Sequence, residues 1–460
     1  MVIGAGLSGA LMATVLGQRG YNVMLLEKRP DLRSTDISAG RSINLALSNR
    51  GIRALDKIGI TDAVLQTTIP VYGRMVHDDK GNTDLQLYSG RKNLCNYSVK
   101  RGDLNALLLD AAERTGRVDI LFQATCTHVD LQDAVVHYTK DGQERQIEAE
   151  VVIGADGAGS VLRRSMLRHS STLRFNYMQK FIDHGYKELR IPPAEDGSHR
   201  IYANALHIWP KGEYMLIALP NADGSFTVTL FLPMEGGEVS FATLQTPEAV
   251  RRFFEREFAD VVMHIEDLEG DFFRNPTGTM STIKCYPWQT YGKTLLIGDA
   301  AHAVVPFYGQ GMNAAFEDVR ILDDMMGEDF DGDWGRLFTD FERLRKPDAD
   351  AIADMAEENY YEMRKYVKDT TFIIKRKLEL ALEQEFDDFH SKYSLVTYCD
   401  EVPYRVAQRL GHCQDDYLME FSSNLRLETV EHIDLATLLK QIRKACGKPQ
   451  GNCLTSVKSG

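Results

Sequence analysis

The first thirty residues set the rhythm of the chain. A short apolar run, MVI, is followed by a glycine turn, GAGLSG, then by a stretch with helical apolar spacing, LSGALMATVLGQRG, and by a second apolar run, YNVMLLEKR. That order predicts strand, turn, helix and strand, with strands apolar on both faces as in a parallel sheet. The first strand is short against the usual length of about 5–6 residues, so we expect the natural chain to begin a few residues earlier. Residues 40–90 mix the two periods. SVKRGDLNALLLDAAERTG, residues 98–116, predicts an amphipathic helix, and strands are expected in VDILFQATCTHVDL, AVVHYTK and EAEVVIGADG. Between residues 185 and 235 the alternation becomes period 2 in short runs, NALHIWP, EYMLIALP and SFTVTLFLP, parted by KGE and NADGS turns. This is the pattern of an antiparallel sheet. KTLLIGD, from residue 293, returns to the first texture. Beyond about residue 335 the helical period dominates, most clearly in DADAIADMAEENYYEMRKYV.

The order of textures predicts an α/β fold in which a Rossmann-like parallel sheet, assembled from separated segments, carries an inserted antiparallel-sheet domain and ends in a helical region. The expected boundaries are residues 1–70, 96–175 and 286–335 for the parallel-sheet domain, 71–95 and 176–285 for the inserted domain, and 336–460 for the helical region.

Composition narrows the function classes. A chain of 460 residues exceeds what one hydrophobic core usually organises, and a charged content of 26% fits a globular protein. No apolar run reaches the roughly 18–20 residues that span a bilayer, and no basic segment precedes the first apolar run as in a signal peptide. We therefore expect a cytoplasmic protein without a membrane anchor. A net charge of −13 argues against a nucleic-acid partner. The seven cysteines, Cys95, Cys126, Cys285, Cys399, Cys413, Cys446 and Cys453, are widely spaced and form no CxxC pair. The twelve histidines form no HExxH pattern. Neither a metal site nor a disulfide framework is expected.

The chemistry lies in three glycine–acid motifs. In GAGLSG, Gly4, Gly6 and Gly9 have GxGxxG spacing between a strand and a helix, and Glu27 ends the next strand, where a carboxylate accepts from ribose hydroxyls. The helix N-terminus offers free N–H groups to a pyrophosphate. GADGAGSVLRR, residues 154–164, and GDAAHAVVPFYGQGMN, residues 298–313, each follow an apolar strand. Asp156 and Asp299 thus fall at strand ends, where open α/β sheets bind ligands. Taken singly, each is equally a turn or a helix cap. Behind the first fingerprint they point to one extended dinucleotide.

On these motifs, from residue 1 to about 330, the chain resembles the group A flavoprotein aromatic hydroxylases. The resemblance implies an FAD-binding Rossmann-like domain of the aromatic hydroxylase type and the cofactors FAD and NADPH. It implies that Gly4, Gly6, Leu7, Gly9, Glu27, Lys28 and Arg29 hold the adenosine half of FAD, with Ala46 and Arg101 also on the cofactor. Asp156 with Gly157 would serve both FAD and the pyridine nucleotide. Asp299 would hold the ribityl chain, and Gly309, Gly311, Met312 and Asn313 the pyrimidine edge of the flavin. GRSINLALSNRG, GRMVH, NALHIWP, FTVTLFLP, VPFYGQGMN and ENYYEMR extend the likeness to about residue 395, toward the branch of the family that hydroxylates L-kynurenine with NADPH and O2 by way of a flavin hydroperoxide. This implies that Arg74, Tyr88, Asn359 and Tyr393 grip the amino-acid end of the substrate. Phe307, with Leu216, Ile217 and Phe231, is expected to form the slot for its ring. Tyr308 stands where the family often has His. The mitochondrial members' anchoring tail is missing, which implies a bacterial-type enzyme. No catalytic base is implied, and another anilinic or phenolic acid is the alternative substrate. Monomer and dimer both remain open, and nothing assigns a role to residues after 395. Trp209, Trp288 and Trp334 stand too far apart for the WxWxIP motif of flavin halogenases.

Overall fold

The apolar runs at the start of the chain become neighbouring strands. In the computed structural model, which describes residues 1–34, 44–328, 330–365 and 369–448, Val2–Ile3 lies between Val23–Leu26 and Val152–Gly154 and runs parallel to both. Val118–Leu121 extends this sheet on one side, and Thr294–Leu296 and Gln289–Thr290 extend it on the other, to six strands. Only the pairing of the last two is antiparallel. The helix Leu7–Gln18 is buried along ten of its twelve residues, because the helices Arg101–Arg114 and Gly311–Met326 cover the sides that the sheet leaves open. The α/β fold expected from the sequence is thus present. Residues 40–43 of the GRSINLALSNRG motif, and Cys453, lie outside the described residues.

Element boundaries differ in instructive ways. VDILFQATCTHVDL holds two strands, Val118–Leu121 and Thr125–Asp130, separated where Gln123 takes a left-handed conformation (φ 56°). The first belongs to the large sheet. The second joins Val135–Lys140 and Gln143–Glu148 in a three-stranded antiparallel sheet. The helix expected over 98–116 begins only at Arg101, because Asn96–Lys100 is the middle strand between Asn44–Leu47 and Ile69–Val71.

The second large sheet has seven strands in the order Gly278–Tyr286, Asn176–Ile191, Phe226–Pro233, Met215–Pro220, Leu206–Pro210, Gly73–His77 and Thr83–Leu87. Its pairings are antiparallel with one exception, Gly73–His77 beside Leu206–Pro210. That strand comes from a distant stretch of chain, so hairpin logic does not govern its direction. One face packs on the helices Pro247–Glu257 and Leu268–Arg274 through Phe253, Phe254 and Phe272. The other meets the loop around Val305 to Tyr308 and the long helix Trp334–Lys365. Successive strand residues point to opposite faces, so Met215 and Ile217 lie on the loop side and Leu216 on the helix side. The expectation that Leu216 lines the ring slot is corrected by this alternation.

After Trp334–Lys365 follow the helices Thr370–Glu385, Lys392–Thr397, Tyr404–Ser423 and Leu435–Cys446. The last two pack side by side and bring Cys413 and Cys446 to a Cα separation of 5.7 Å, where they form a disulfide. This corrects the expectation of unpaired thiols: 33 residues separate the two cysteines, so only helix packing reveals the pair. Cys95, Cys126, Cys285 and Cys399 are buried and take no part in this disulfide. Among the described residues no helix is long and apolar enough to cross a membrane, and no cluster of side chains could hold a metal.

A buried ionic network ties the helical region to the parallel-sheet domain. Glu317 accepts from Arg50 at 2.6 Å and lies 2.9 Å from Arg345, whose Nε donates to Asp318 at 3.0 Å. Asp318 also accepts from His302 at 2.6 Å and from the Gly298 N–H at 2.9 Å. Burial by itself pushes the Asp318 carboxyl up, but His302, Arg345 and that N–H outweigh it and hold it below its ordinary range. Arg50 donates further to the carbonyls of Val396, Cys399 and Val402 and sits 4.0 Å over the Tyr404 ring. Arg345→Met removes a charge that two buried carboxylates share. We expect it to destabilise the protein by about 3 kcal/mol or more, measured by denaturant unfolding followed by tryptophan fluorescence.

Candidate functional site

The three glycine motifs, far apart in sequence, converge at one edge of the parallel sheet. Gly4 has φ +97°, and a Cβ there would meet the Ala155 carbonyl at 2.6 Å. Gly9 lies so close to the first turn that a Cβ would approach the Gly4 carbonyl to 1.8 Å. The third motif abuts the first, since a Cβ on Gly298 would lie 2.9 Å from the Ser8 hydroxyl. Arg163 bridges the second and third motifs by donating to the carbonyls of Ala158 and Ala300. Glu27, 6% exposed, accepts from the Ala5 N–H at 2.9 Å and from Arg29 Nε at 2.8 Å. Its burial raises the carboxyl, but Arg29 and the two N–H groups outweigh this and hold it low. Leu7 is buried in the core, so only its backbone faces the turn, while Lys28 is exposed.

A cleft of about 1270 Å³ opens beside the first motif. Glu27, Arg29, Lys100 and Arg101 lie on one wall, Glu188, Arg190 and Asn221 on the other. This is ample for a dinucleotide, since small-molecule sites usually span about 300–1,000 Å³. The residues fit such a ligand. A Cβ on Gly6 would meet nothing within 4 Å, so the turn presents its backbone to open space. Asp156 caps the helix Val161–Arg168 by accepting from the Val161 N–H at 2.6 Å, while its other oxygen is buried without a partner. Burial raises the Asp156 carboxyl. Asp299 is exposed at the start of the helix Asp299–His302.

Beyond the cleft, and sharing Thr227 with it, lies a second cavity of about 110 Å³. Ala46, Pro306, Phe307 and Gly309 form its rim toward the cofactor motifs. Gly311 begins the helix Gly311–Met326, Met312 packs on the first core, and Asn313 is fully buried. The Asn313 amide is spent on backbone, accepting from Ser48 N–H and donating to the Ala46 and Gly309 carbonyls. The apolar wall comprises Met215, Ile217, Phe231 and Phe307, the last two in ring contact at 5.1 Å.

Polar groups gather at the other end of this cavity. Arg74 enters from Gly73–His77, Tyr88 from just past Thr83–Leu87, and Tyr393 from the helix Lys392–Thr397. The two tyrosine rings stack at 4.8 Å, and the Arg74 guanidinium lies about 6 Å from both. Arg74 has an acid, Glu362, only at 3.7 Å, and its Nε is buried with no partner. Such a cation is under-compensated and suited to a carboxylate ligand. Burial raises both phenols, so they remain hydrogen-bond donors. Asn359 lines a smaller adjoining cavity and donates to the Phe307 carbonyl at 2.7 Å, bracing the Pro306–Tyr308 turn. Tyr308 stacks on Tyr393 at 5.7 Å.

Several residues of the site are not marked individually in the sequence, although Thr229 lies within FTVTLFLP and Glu362 within ENYYEMR. Asn96, Tyr186, Met215 and Thr229 line the second cavity, and Glu362 faces Arg74. Alternation along CNYSVK could have put Asn96 and Ser98 on one face, but nothing local shows that this face is interior.

A family model described as an FAD binding domain matches residues 1–356. The kynurenine 3-monooxygenase of Myxococcus xanthus (strain DK1622) is 45% identical over 445 residues, covering 96% of this chain and 94% of that protein. The kynurenine 3-monooxygenase of Dictyostelium discoideum is 41% identical over 459 residues, covering 97% and 98%. Among solved structures, the tetrameric form of 2-methyl-3-hydroxypyridine-5-carboxylic acid oxygenase matches with a TM-score of 0.62 at 20% identity, over 83% of this chain and 96% of that one. PqsL of P. aeruginosa in complex with 2-aminobenzoylacetate matches with a TM-score of 0.60 at 20% identity, over 79% and 96%.

Gly9→Val should abolish retention of FAD, read as loss of flavin absorbance in the purified protein, because its side chain would occupy the space of the Gly4 carbonyl. Glu27 supplies a pH test. A carboxyl held below its unfolded value stabilises the fold above that value, and the contribution is lost as pH falls toward the folded value. Thermal stability of the parent should fall between about pH 5 and 3, and Glu27→Gln should flatten that part of the profile.

Proposed function

The chain belongs to the kynurenine 3-monooxygenase family of FAD-binding proteins, and on that premise we propose that it hydroxylates L-kynurenine to 3-hydroxykynurenine with NADPH and O2. The observation that carries this reading is Arg74. The Arg74 guanidinium, its Nε buried without a partner, lies about 6 Å from two stacked phenols, at the polar end of an apolar cavity that shares a wall with the dinucleotide cleft. A zwitterionic amino acid with an aromatic ring matches that polarity end for end.

FAD, once reduced by NADPH, supplies the oxygen-activating chemistry, and the protein's own residues arrange it. Glu27 would accept from the adenosine ribose, and the first turn would give its N–H groups to the pyrophosphate. Asp299 would hold the ribityl hydroxyls. The N–H groups at the start of Gly311–Met326 would serve the pyrimidine edge of the flavin, since a helix N-terminus stabilises negative charge. Arg74 pairs with the substrate carboxylate, and the hydroxyls of Tyr88 and Tyr393 add neutral donors. Phe231, Phe307 and Ile217 hold the ring against the flavin edge of the cavity and exclude water. Asn359 acts at the same site through the Phe307 carbonyl, keeping that ring in place. No side chain of the cavity is required as a base, because the anilinic nitrogen of the substrate itself activates the ring carbon beside it.

Purified protein supplied with NADPH, O2 and L-kynurenine should release 3-hydroxykynurenine. NADPH oxidation that yields only hydrogen peroxide, or faster hydroxylation of another anilinic or phenolic acid, would reject L-kynurenine as the substrate. Arg74→Ala should raise KM for L-kynurenine by about 10- to 100-fold, the loss of one or two charge-assisted hydrogen bonds, with FAD still bound. Steady-state kinetics and the flavin spectrum check both halves of that outcome.

A further inference from the structure

Asn96 is 5% exposed, lines the second cavity and carries no sequence motif. Its Nδ2 donates to the Tyr393 hydroxyl at 2.8 Å, and its Oδ1 is buried with no hydrogen-bond partner. Ser98, two residues along the same strand, offers a contrast. Its hydroxyl donates to the Pro220 carbonyl and accepts from Asn44, so Ser98 is satisfied by the protein. A buried amide oxygen left without a donor carries an uncompensated desolvation cost, and in a functional cavity a ligand that donates to it removes that cost.

The donors and acceptors around it are unequal in number. Arg74 offers only N–H donors, and Tyr393, which already accepts from Asn96, has its own O–H proton to give. Both suit a carboxylate. A zwitterionic anilinic amino acid also brings N–H donors, on its α-ammonium and on its ring amine, and these need an acceptor. We propose that Asn96 is a specificity-determining residue of the substrate site: Oδ1 accepts a hydrogen bond from a substrate amine, while Nδ2 turns the Tyr393 proton toward the carboxylate. Asn96 thereby selects amine-bearing acids over aromatic acids of similar shape that lack the N–H. The proposal rests on the functional reading given above.

The test uses the FAD-loaded protein, with ligand binding followed by the flavin spectrum. Turnover of L-kynurenine by the parent is measured first, so that failure of the functional reading is recognised on its own. Absence of 3-hydroxykynurenine there leaves the Asn96 comparison to be decided on binding. Asn96→Leu keeps the size of the side chain and removes the acceptor; it should weaken L-kynurenine by about 10-fold or more with flavin content unchanged. Two analogues then locate the donor: 4-(2-aminophenyl)-4-oxobutanoate lacks the α-amine, and benzoylalanine lacks the ring amine. All three ligands lose the Tyr393 orientation in Asn96→Leu, so the analogue that it weakens least is missing the group that Asn96 binds. Asn96→Asp, which restores an acceptor, should recover affinity for L-kynurenine, whereas Tyr393→Phe should weaken all three ligands alike. Equal weakening of all three by Asn96→Leu would reduce Asn96 to a support for Tyr393 and overturn the proposal, as would unchanged binding of L-kynurenine. Should Asn96→Leu lose its flavin, Asn96→Asp and Asn96→Gln against the same three ligands give the same decision.

Discussion

The carboxylate of Asp318 is the point on which the site's geometry depends. It has no access to solvent, and it receives the Gly298 N–H, His302 and Arg345 together. Removing an ion from water costs several kcal/mol, which the interior repays only when opposite charge and hydrogen bonds converge in good geometry. That requirement draws three stretches into one place: the turn after Thr294–Leu296, the helix Gly311–Met326, and the long helix that carries Arg345. Through Glu317 and Arg50 the same network reaches the carbonyls near the end of Lys392–Thr397, the helix that bears Tyr393. The turn of the third glycine motif and a wall of the second cavity thus share one electrostatic anchor.

Once that anchor holds, the large cleft and the second cavity need only a common wall. Thr227, on a strand of the second sheet, lines both. The loop around Phe307 closes the cavity where it meets the cofactor motifs, and Asn359 from the long helix braces it. The substrate end of the cavity is assembled from residues that are remote in sequence: Arg74 and Tyr88 from the sheet edge, Tyr393 from the helical region. Strands and helices wall the cavity and position each donor.

Much of the cofactor side was legible in sequence because its signals are local. A glycine that must take φ +97° or lie against a carbonyl is visible as a glycine, and the strand, turn and helix that follow have their own periods. The motifs GAGLSG, GADGAG and GDAAH could be read for that reason, and the structure brings them together. The substrate side was less legible. Arg74, Tyr88, Asn359 and Tyr393 were reached through a family resemblance, since no local pattern separates an arginine in a cavity from one on a solvated face. Leu216 failed because strand alternation, applied without knowing which face was interior, left the choice between odd and even positions open. Cys413 and Cys446 were missed because their pairing depends on how two helices lie against each other.

By itself, then, the sequence determined the periodic elements, the α/β class, the dinucleotide turn and the acids at strand ends, since each depends on backbone conformation and on neighbours a few residues away. The tertiary structure alone decided which carboxylates are buried together, which face of the second sheet lines the cavity, that one strand of it runs parallel, and that Asn96 keeps an unpaired oxygen there. Those features arise from desolvation and packing between segments tens to hundreds of residues apart. A residue's identity sets what it can donate or accept, but only its surroundings decide whether that capacity is already used.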